Sequence, residues 1–189
     1  MKGSFRIGKI KGILIEVNAS WFVIFALVTY SLAASYFPLY YPDFDSTTRW
    51  VSSSAIALLF FVSVLLHELS HSLVSLKLGI PVKRITLFIF GGLAQIEKEP
   101  DEPMKELKMA IAGPAMSLFL FVLFFLLSAA LRSLGAPLAA VVSFEYLSNI
   151  NLTLAIFNLI PAFPLDGGRV LRAIIWRFSG SLHKSTKIT

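Results

Sequence analysis

The sequence contains no cysteine among its 189 residues. A disulfide framework, a thiolate nucleophile and a metal site with cysteine ligands are therefore excluded. Charged residues are also scarce, because Asp, Glu, Lys and Arg make up 15% of the chain, against roughly 25% in ordinary soluble domains. Carboxylates, histidines and hydroxyls remain as the side chains that could carry chemistry.

Apolar residues account for 56% of the chain, and 17 residues are phenylalanine. So little polar surface cannot cover a domain in water, and the expected surroundings are a lipid bilayer. Apolar stretches at about 18–38, 50–78, 109–131 and 138–160 are each long enough to cross roughly 30 Å of hydrocarbon as a helix. The first stretch could also be a secretory signal peptide, but a long polar segment precedes it and no clean small-x-small cleavage site follows.

Two further segments, at about 7–17 and 82–97, are rich in β-branched residues and partly alternate apolar with polar positions. Both features predict β-strands. Gly91 and Gly92 predict a turn or bulge, and the charged stretch 97–106 predicts a solvated loop. The predicted fold is therefore an all-α polytopic membrane protein with about four transmembrane helices and a small β-sheet at the cytoplasmic interface. It forms a single core over residues 1–189.

The formal net charge is +6, and its distribution along the chain indicates its role. Fifteen of the 17 Lys and Arg residues flank the predicted spans on one side of the membrane, and only Arg49 and Arg132 lie on the other. Basic residues collect in this way in cytoplasmic loops. Both termini and the central loop are therefore predicted to be cytoplasmic, and no nucleic-acid partner is expected.

The second predicted span contains the pattern His-Glu-x-x-His, formed by His67, Glu68 and His71. Histidines at i and i+4 project from one face of a helix, so both imidazoles can reach one ion and the glutamate can reach a water on it. The preceding 51–66 segment is uncharged, and ionisable residues inside a span are costly and usually functional. The simpler alternative is a polar helix contact with Glu68 in an ion pair, but no basic residue precedes Lys77 in this span.

A catalytic zinc site takes three protein ligands and leaves one position open. The remaining histidine, His183, lies in a polar C-terminal segment, where a solvated side chain is the simpler interpretation. Asp166 is the better third ligand, because it follows the fourth span and reaches the same side and depth as His67 and His71. Two prolines and two glycines around it predict an opened helix with the carboxylate on irregular backbone. A turn carboxylate paired with Arg169 is the alternative.

Several motifs occur in a distinctive order along the chain. They are His67-Glu68-x-x-His71, Gly91-Gly92, Gly113-Pro114 and Asn158-x-x-Pro161-x-x-Pro164-x-Asp166-Gly167. With these motifs the chain resembles the site-2 protease family of intramembrane zinc metalloproteases. Ser117 departs from the family pattern, because many relatives carry Asn four residues after the Gly of Gly-Pro, and it is left out of the predicted site. Members of the most similar branch often continue into further spans and a pair of CBS domains, which is consistent with a truncated core.

The resemblance implies a function and a set of roles. His67, His71 and Asp166 bind one zinc ion, Glu68 is the general base, and Asn158 helps to polarise or hold the scissile carbonyl. The implied reaction is hydrolysis of peptide bonds within or near the transmembrane segment of a membrane-protein substrate.

Two other functions are compatible with intramembrane His and Asp residues, namely a zinc transporter and an inactive scaffold that binds membrane partners. Transporters commonly show inverted repeats, and the sequence shows none.

A protease must hold its substrate extended, because a helix hides its peptide bonds in internal hydrogen bonds. An edge strand of the predicted sheet would do this, and the resemblance implies the same for the Gly91 region.

Overall fold

A computed structural model of the chain describes residues 3–182, 185 and 186. Strands β1 (Ser4–Ile10) and β2 (Ile13–Asn18) come first, followed by α1 (Ser20–Ser31), a π-helical turn (Leu32–Tyr36) and α2 (Phe37–Tyr40). The central elements are α3 (Ser46–Lys77), β3 (Val82–Phe88) and β4 (Gly91–Ile96). The later elements are α4 (Pro103–Ser133), α5 (Leu138–Asn158) and α6 (Asp166–Ser179).

Within the described residues, four helical segments are long and apolar enough to cross a membrane: Ser20–Tyr40, Ser46–Lys77, Pro103–Ser133 and Leu138–Asn158. Buried apolar side chains from these segments form a common core of Leu32, Phe37, Ile56, Leu120, Phe124, Val142 and Leu147. Large apolar side chains such as Phe119 and Phe125 remain exposed, as helices with a lipid-facing side require. The predicted fold class, helical with four apolar spans and a small sheet, is confirmed.

The sheet has the strand order β1-β2-β3-β4, with β2 and β3 parallel and the two outer pairs antiparallel. Its inner face packs on the second half of α3, where Ile13, Ile15, Val82 and Ile85 meet Leu69. This packing places β4, an edge strand, beside the part of α3 that carries the His-Glu-x-x-His pattern.

Helix α3 begins directly after Asp45, whose Oδ1 accepts a hydrogen bond of 2.6 Å from the Thr48 backbone N–H. This contact satisfies one of the amides that a helix start leaves free. Hydrogen bonding by Thr48 lowers the pKa of the Asp45 carboxyl. The 32 residues of α3 exceed the roughly 20 needed to cross the hydrocarbon, so its last turns extend to the sheet.

Two local predictions differ from the structure. The 97–106 segment is only partly a loop, because α4 begins at Pro103, where the missing N–H of proline costs nothing. The turn between β3 and β4 is formed by Ile89 and Phe90, and Gly91 and Gly92 are the first residues of β4.

The region around Asp166 is also more regular than predicted. Asp166 is the first residue of α6, and irregular backbone is confined to residues 159–165. Gly167 and Gly168 are helical, and β-carbons at these positions would overlap the backbone of residues 159–163. Their role is therefore close approach between the start of α6, which carries Asp166, and the 159–163 segment.

Candidate metal centre

Helix α3 presents His67 and His71 from one face, and both side chains are buried. Their Nε2 atoms lie 3.1 Å apart. Asp166 Oδ2 lies 3.1 Å from each of these nitrogens. Three potential ligand atoms thus form an equilateral triangle, and among the described residues Asp166 pairs with these histidines rather than with Arg169.

The spacing and chemistry of this triangle fit a cation. A tetrahedral zinc ion with ligand bonds of about 2.0 to 2.1 Å separates its ligand atoms by about 3.3 Å, close to the 3.1 Å found here. Burial raises the pKa of the Asp166 carboxyl, but hydrogen bonds and charge from His67 and His71 outweigh burial and lower it to about 2. The carboxyl is therefore ionised at neutral pH, the form in which it can bind a metal.

Helix α4 supplies contacts that orient the two imidazoles. His71 Nδ1–H donates to the Met109 carbonyl at 2.6 Å, so the neutral imidazole, the form that binds a metal, has its Nε2 lone pair facing the centre. His67 Nδ1 lies 2.9 Å from the buried Ser117 Oγ. Such partners fix the tautomer and the angle of metal-binding histidines. The sequence predicts neither contact, because Ser117 departs from the family pattern and a backbone carbonyl has no side-chain signature.

Gly113 lets α4 pass directly beside the imidazoles. A β-carbon at this position would overlap the Nε2 atoms of both His67 and His71. A glycine inside a helix lowers helix stability by about 1 kcal/mol relative to alanine. At Gly113 the missing side chain allows α4 to approach the triangle closely.

Glu68 lies beside the triangle on the wall of a cavity of about 620 Å³. We call it the metal-side cavity, and its lining includes His67, Glu68, His71, Gly91, Gly92, Asn158, Asp166 and Arg169. In the described part of the chain, the Glu68 carboxylate forms neither a hydrogen bond nor an ion pair. It is thus free to exchange a proton with a molecule in the cavity.

The start of β4 closes one side of this cavity. A β-carbon at Gly92 would overlap Glu68 Cγ, so only glycine allows the strand to come this close. Gly91 has a φ of +120°, in the region that favours glycine. The first residues of β4 therefore lie against Glu68, and the strand extends from there toward Ile96.

Asn158 is the remaining predicted site residue. Asn158 is the last residue of α5, lines the metal-side cavity and donates through Nδ2 to the Leu154 carbonyl at 2.9 Å. No contact joins it to the triangle, so its proposed role stays a prediction. His183 lies outside the described residues.

A buried ion pair joins the two helices that complete the centre. Glu106, in the first turn of α4, is fully buried, and its Oε1 accepts hydrogen bonds from Arg172 Nε at 2.8 Å and from Arg172 Nη2. Arg172 belongs to α6, which begins with Asp166. The sequence predicts that Glu106 is solvated, but its buried ion pair links α4, which carries Ser117, to α6, which carries Asp166.

Comparisons with known proteins identify relatives. Residues 55–188 match the family model of peptidase family M50. A zinc metalloprotease of Methanocaldococcus jannaschii is 40% identical over 190 residues, covering 100% of this chain and 50% of the relative. A Synechocystis protein provisionally named a zinc metalloprotease is 45% identical over 188 residues, covering 100% of this chain and 48% of the relative. The chain thus spans about half the length of these curated relatives.

The fold has a solved counterpart. The structure of a site-2 protease from Methanocaldococcus jannaschii superposes with a TM-score of 0.64 at 36% sequence identity, covering 98% of this chain and 77% of that one. In the described part of the chain, four apolar helical segments have spanning length, so the protein is a multi-pass membrane protein. Because the family match extends over most of the sequence and the fold agrees, the chain belongs to peptidase family M50, the site-2 protease family.

Proposed function

We propose that this chain is the core of an intramembrane zinc metalloprotease, with His67, His71 and Asp166 as the zinc ligands and Glu68 as the general base. The observation that carries the proposal is a triangle of ligand atoms with 3.1 Å sides beside an unpaired carboxylate. Two imidazoles and one carboxylate are typical of catalytic zinc with an open fourth position. Relatives named as zinc metalloproteases support zinc as the ion.

When bound, zinc supplies an acidic water and polarises the peptide carbonyl. The unpaired Glu68 carboxylate would accept a proton from a water in the metal-side cavity and pass it to the leaving amine. Asn158 holds the substrate carbonyl: its amide nitrogen carries two N–H donors, and Leu154 occupies only one of them.

The proposed substrate is a membrane protein whose transmembrane segment unwinds near the centre. Its extended backbone pairs with the outer edge of β4, since β3 occupies only the inner edge. Because β4 begins against Glu68, a strand paired there passes the general base with its peptide bonds free of helical hydrogen bonds.

The test compares the wild type with Glu68→Gln on a panel of single-span membrane proteins, with zinc content measured by mass spectrometry. Glutamine keeps the shape of the side chain but accepts no proton, so we expect about one zinc per chain in both and cleavage slowed by about 10²- to 10⁴-fold. Glu145→Gln, at an exposed ion pair with Arg132, should cleave like the wild type. Sub-stoichiometric zinc in the wild type, or equal cleavage by Glu68→Gln, would contradict the proposal.

We also propose that both termini and the sheet are cytoplasmic, because of the basic residues on that side. Since the chain has no cysteine, single cysteines report the orientation directly. Asp43→Cys, between the first two spans, should react with a membrane-impermeant maleimide in intact cells, and Lys9→Cys, in β1, should react only in inverted vesicles. The opposite pattern would reverse the orientation.

A further inference from the structure

A second cavity, of about 700 Å³, adjoins the metal-side cavity. We call it the outer groove, and its walls include Gln95 and Lys98 from β4 and the segment after it, and Arg169 and Arg172 from α6. Both cavities are lined by Leu93, Ala94, Ile96 and Arg169. Arg169 is the one charged residue among these shared positions, so it stands where the groove opens toward the metal ligands.

Three other charged residues of the outer groove are held in ion pairs. The pairs are Arg84 with Glu16, Glu97 with Lys83, and Arg172 with Glu106. Lys98 and Glu99 are neighbours of opposite formal charge. On the metal side, a divalent cation would offset the charges of Glu68 and Asp166. Arg169 lies close enough to Glu68 for their charges to interact, but among the described residues its guanidinium forms no hydrogen bond with a carboxylate.

Arg169 is not neutralised by Glu106. Its Nε lies 3.9 Å from Glu106 Oε1, beyond hydrogen-bond distance, and that oxygen already accepts from Arg172. One carboxylate cannot hydrogen-bond fully to two guanidinium groups, so the N–H donors of Arg169 stay available to a ligand. The Arg169 side chain is 22% exposed, which leaves its donors within reach of a ligand in either cavity.

A substrate strand paired with β4 would pass close to Arg169. The strand runs from Gly92, beside Glu68, to Ile96 at the outer groove, and four residues of extended chain span about 13 Å at about 3.3 Å each. A substrate on this edge therefore passes Arg169 within roughly four residues of the bond that faces Glu68.

On the basis of the proposed function, we propose that Arg169 determines specificity by binding an acidic substrate side chain. Favoured substrates carry Asp or Glu within about four residues of the scissile bond, on the side that lies in the outer groove. A guanidinium binds a carboxylate with paired, charge-assisted hydrogen bonds. A lysine or arginine of the substrate at the same place would be repelled by the Arg169 guanidinium.

Binding of labelled peptides tests this assignment without hydrolysis. Three extended ten-residue peptides differ only in a central Glu, Gln or Lys, and fluorescence anisotropy measures their binding to the zinc-loaded, detergent-solubilised full chain carrying Glu68→Gln. We expect the Glu peptide to bind about five- to tenfold more tightly than the Gln peptide, and the Lys peptide to bind most weakly. Adding Arg169→Gln should abolish the preference, and Arg169→Glu should reverse it.

Arg177→Gln is the matched control, because Arg177 is an exposed arginine of the same helix that lines neither cavity. It should keep the full preference, and Arg169→Lys should keep a smaller preference of the same sign. Equal binding of the Glu and Gln peptides, a preference that survives Arg169→Gln, or no binding of any peptide would overturn the assignment. A normal peptide preference without cleavage in the membrane-protein panel would overturn only the proposed function.

Discussion

Replacing Gly113 with alanine should remove zinc and hydrolysis from a protein that remains folded. The added methyl would occupy the space of the His67 and His71 Nε2 atoms. Both rings would have to turn away, and a centre that loses two of three ligands cannot hold the ion. Overpacking costs about 1 to 3 kcal/mol, which is below the roughly 5 to 15 kcal/mol of a typical folded protein.

Gly8→Ala provides the matched control for Gly113→Ala. Gly8 lies in β1, where a β-carbon would meet no atom within 4 Å. Zinc measured by mass spectrometry on both purified variants should be near zero for Gly113→Ala and near one per chain for Gly8→Ala. A melting curve recorded on each sample establishes that the protein is folded. Full zinc occupancy with unchanged affinity in Gly113→Ala would show that α4 does not approach the ligands as described.

The convergence of His67, His71 and Asp166 is the part of the centre that sequence could predict. Helical periodicity places the two histidines on one face, and two antiparallel spans return the chain to the same side, which brings Asp166 near them. Neither step needs knowledge of side-chain packing. Their roles as zinc ligands stay a prediction that the zinc measurements test.

The contacts that orient the imidazoles could not be predicted in this way. Ser117 lies fifty positions from His67 in sequence, and a serine in a spanning helix more often serves close packing. The Met109 carbonyl is a backbone group and has no residue signature. Both contacts depend on how α3 crosses α4, which periodicity does not determine.

Glu106 shows why charged residues near spans are easily misjudged. A run of charges predicts a solvated surface, and nothing local distinguishes Glu106 from its neighbours. Its partner Arg172 is 66 residues away. Arg172 belongs to α6, a helix that the sequence does not predict because prolines and glycines surround its start. A sequence method assigns burial from local pattern, whereas the burial of Glu106 depends on this distant pairing.

Replacing Glu106 with glutamine should produce the largest loss of stability among the variants considered. The Arg172 side chain, which is 12% exposed, would keep its charge without a counterion. Removing one partner of a buried pair typically costs about 3 to 5 kcal/mol. Because the pair joins α4 to α6, we also expect weaker zinc binding as Asp166 moves relative to His67 and His71.

Two further variants identify the cause of this loss. Glu145→Gln breaks the exposed pair with Arg132 and should cost no more than about 1 kcal/mol. The double variant Glu106→Gln and Arg172→Met removes the buried charge and should recover part of the stability. Unfolding in detergent, followed by tryptophan fluorescence, measures all three. If Glu106→Gln were no less stable than Glu145→Gln, the pair could not fasten α6, and Asp166 would be positioned by the close packing of Gly167 and Gly168 alone.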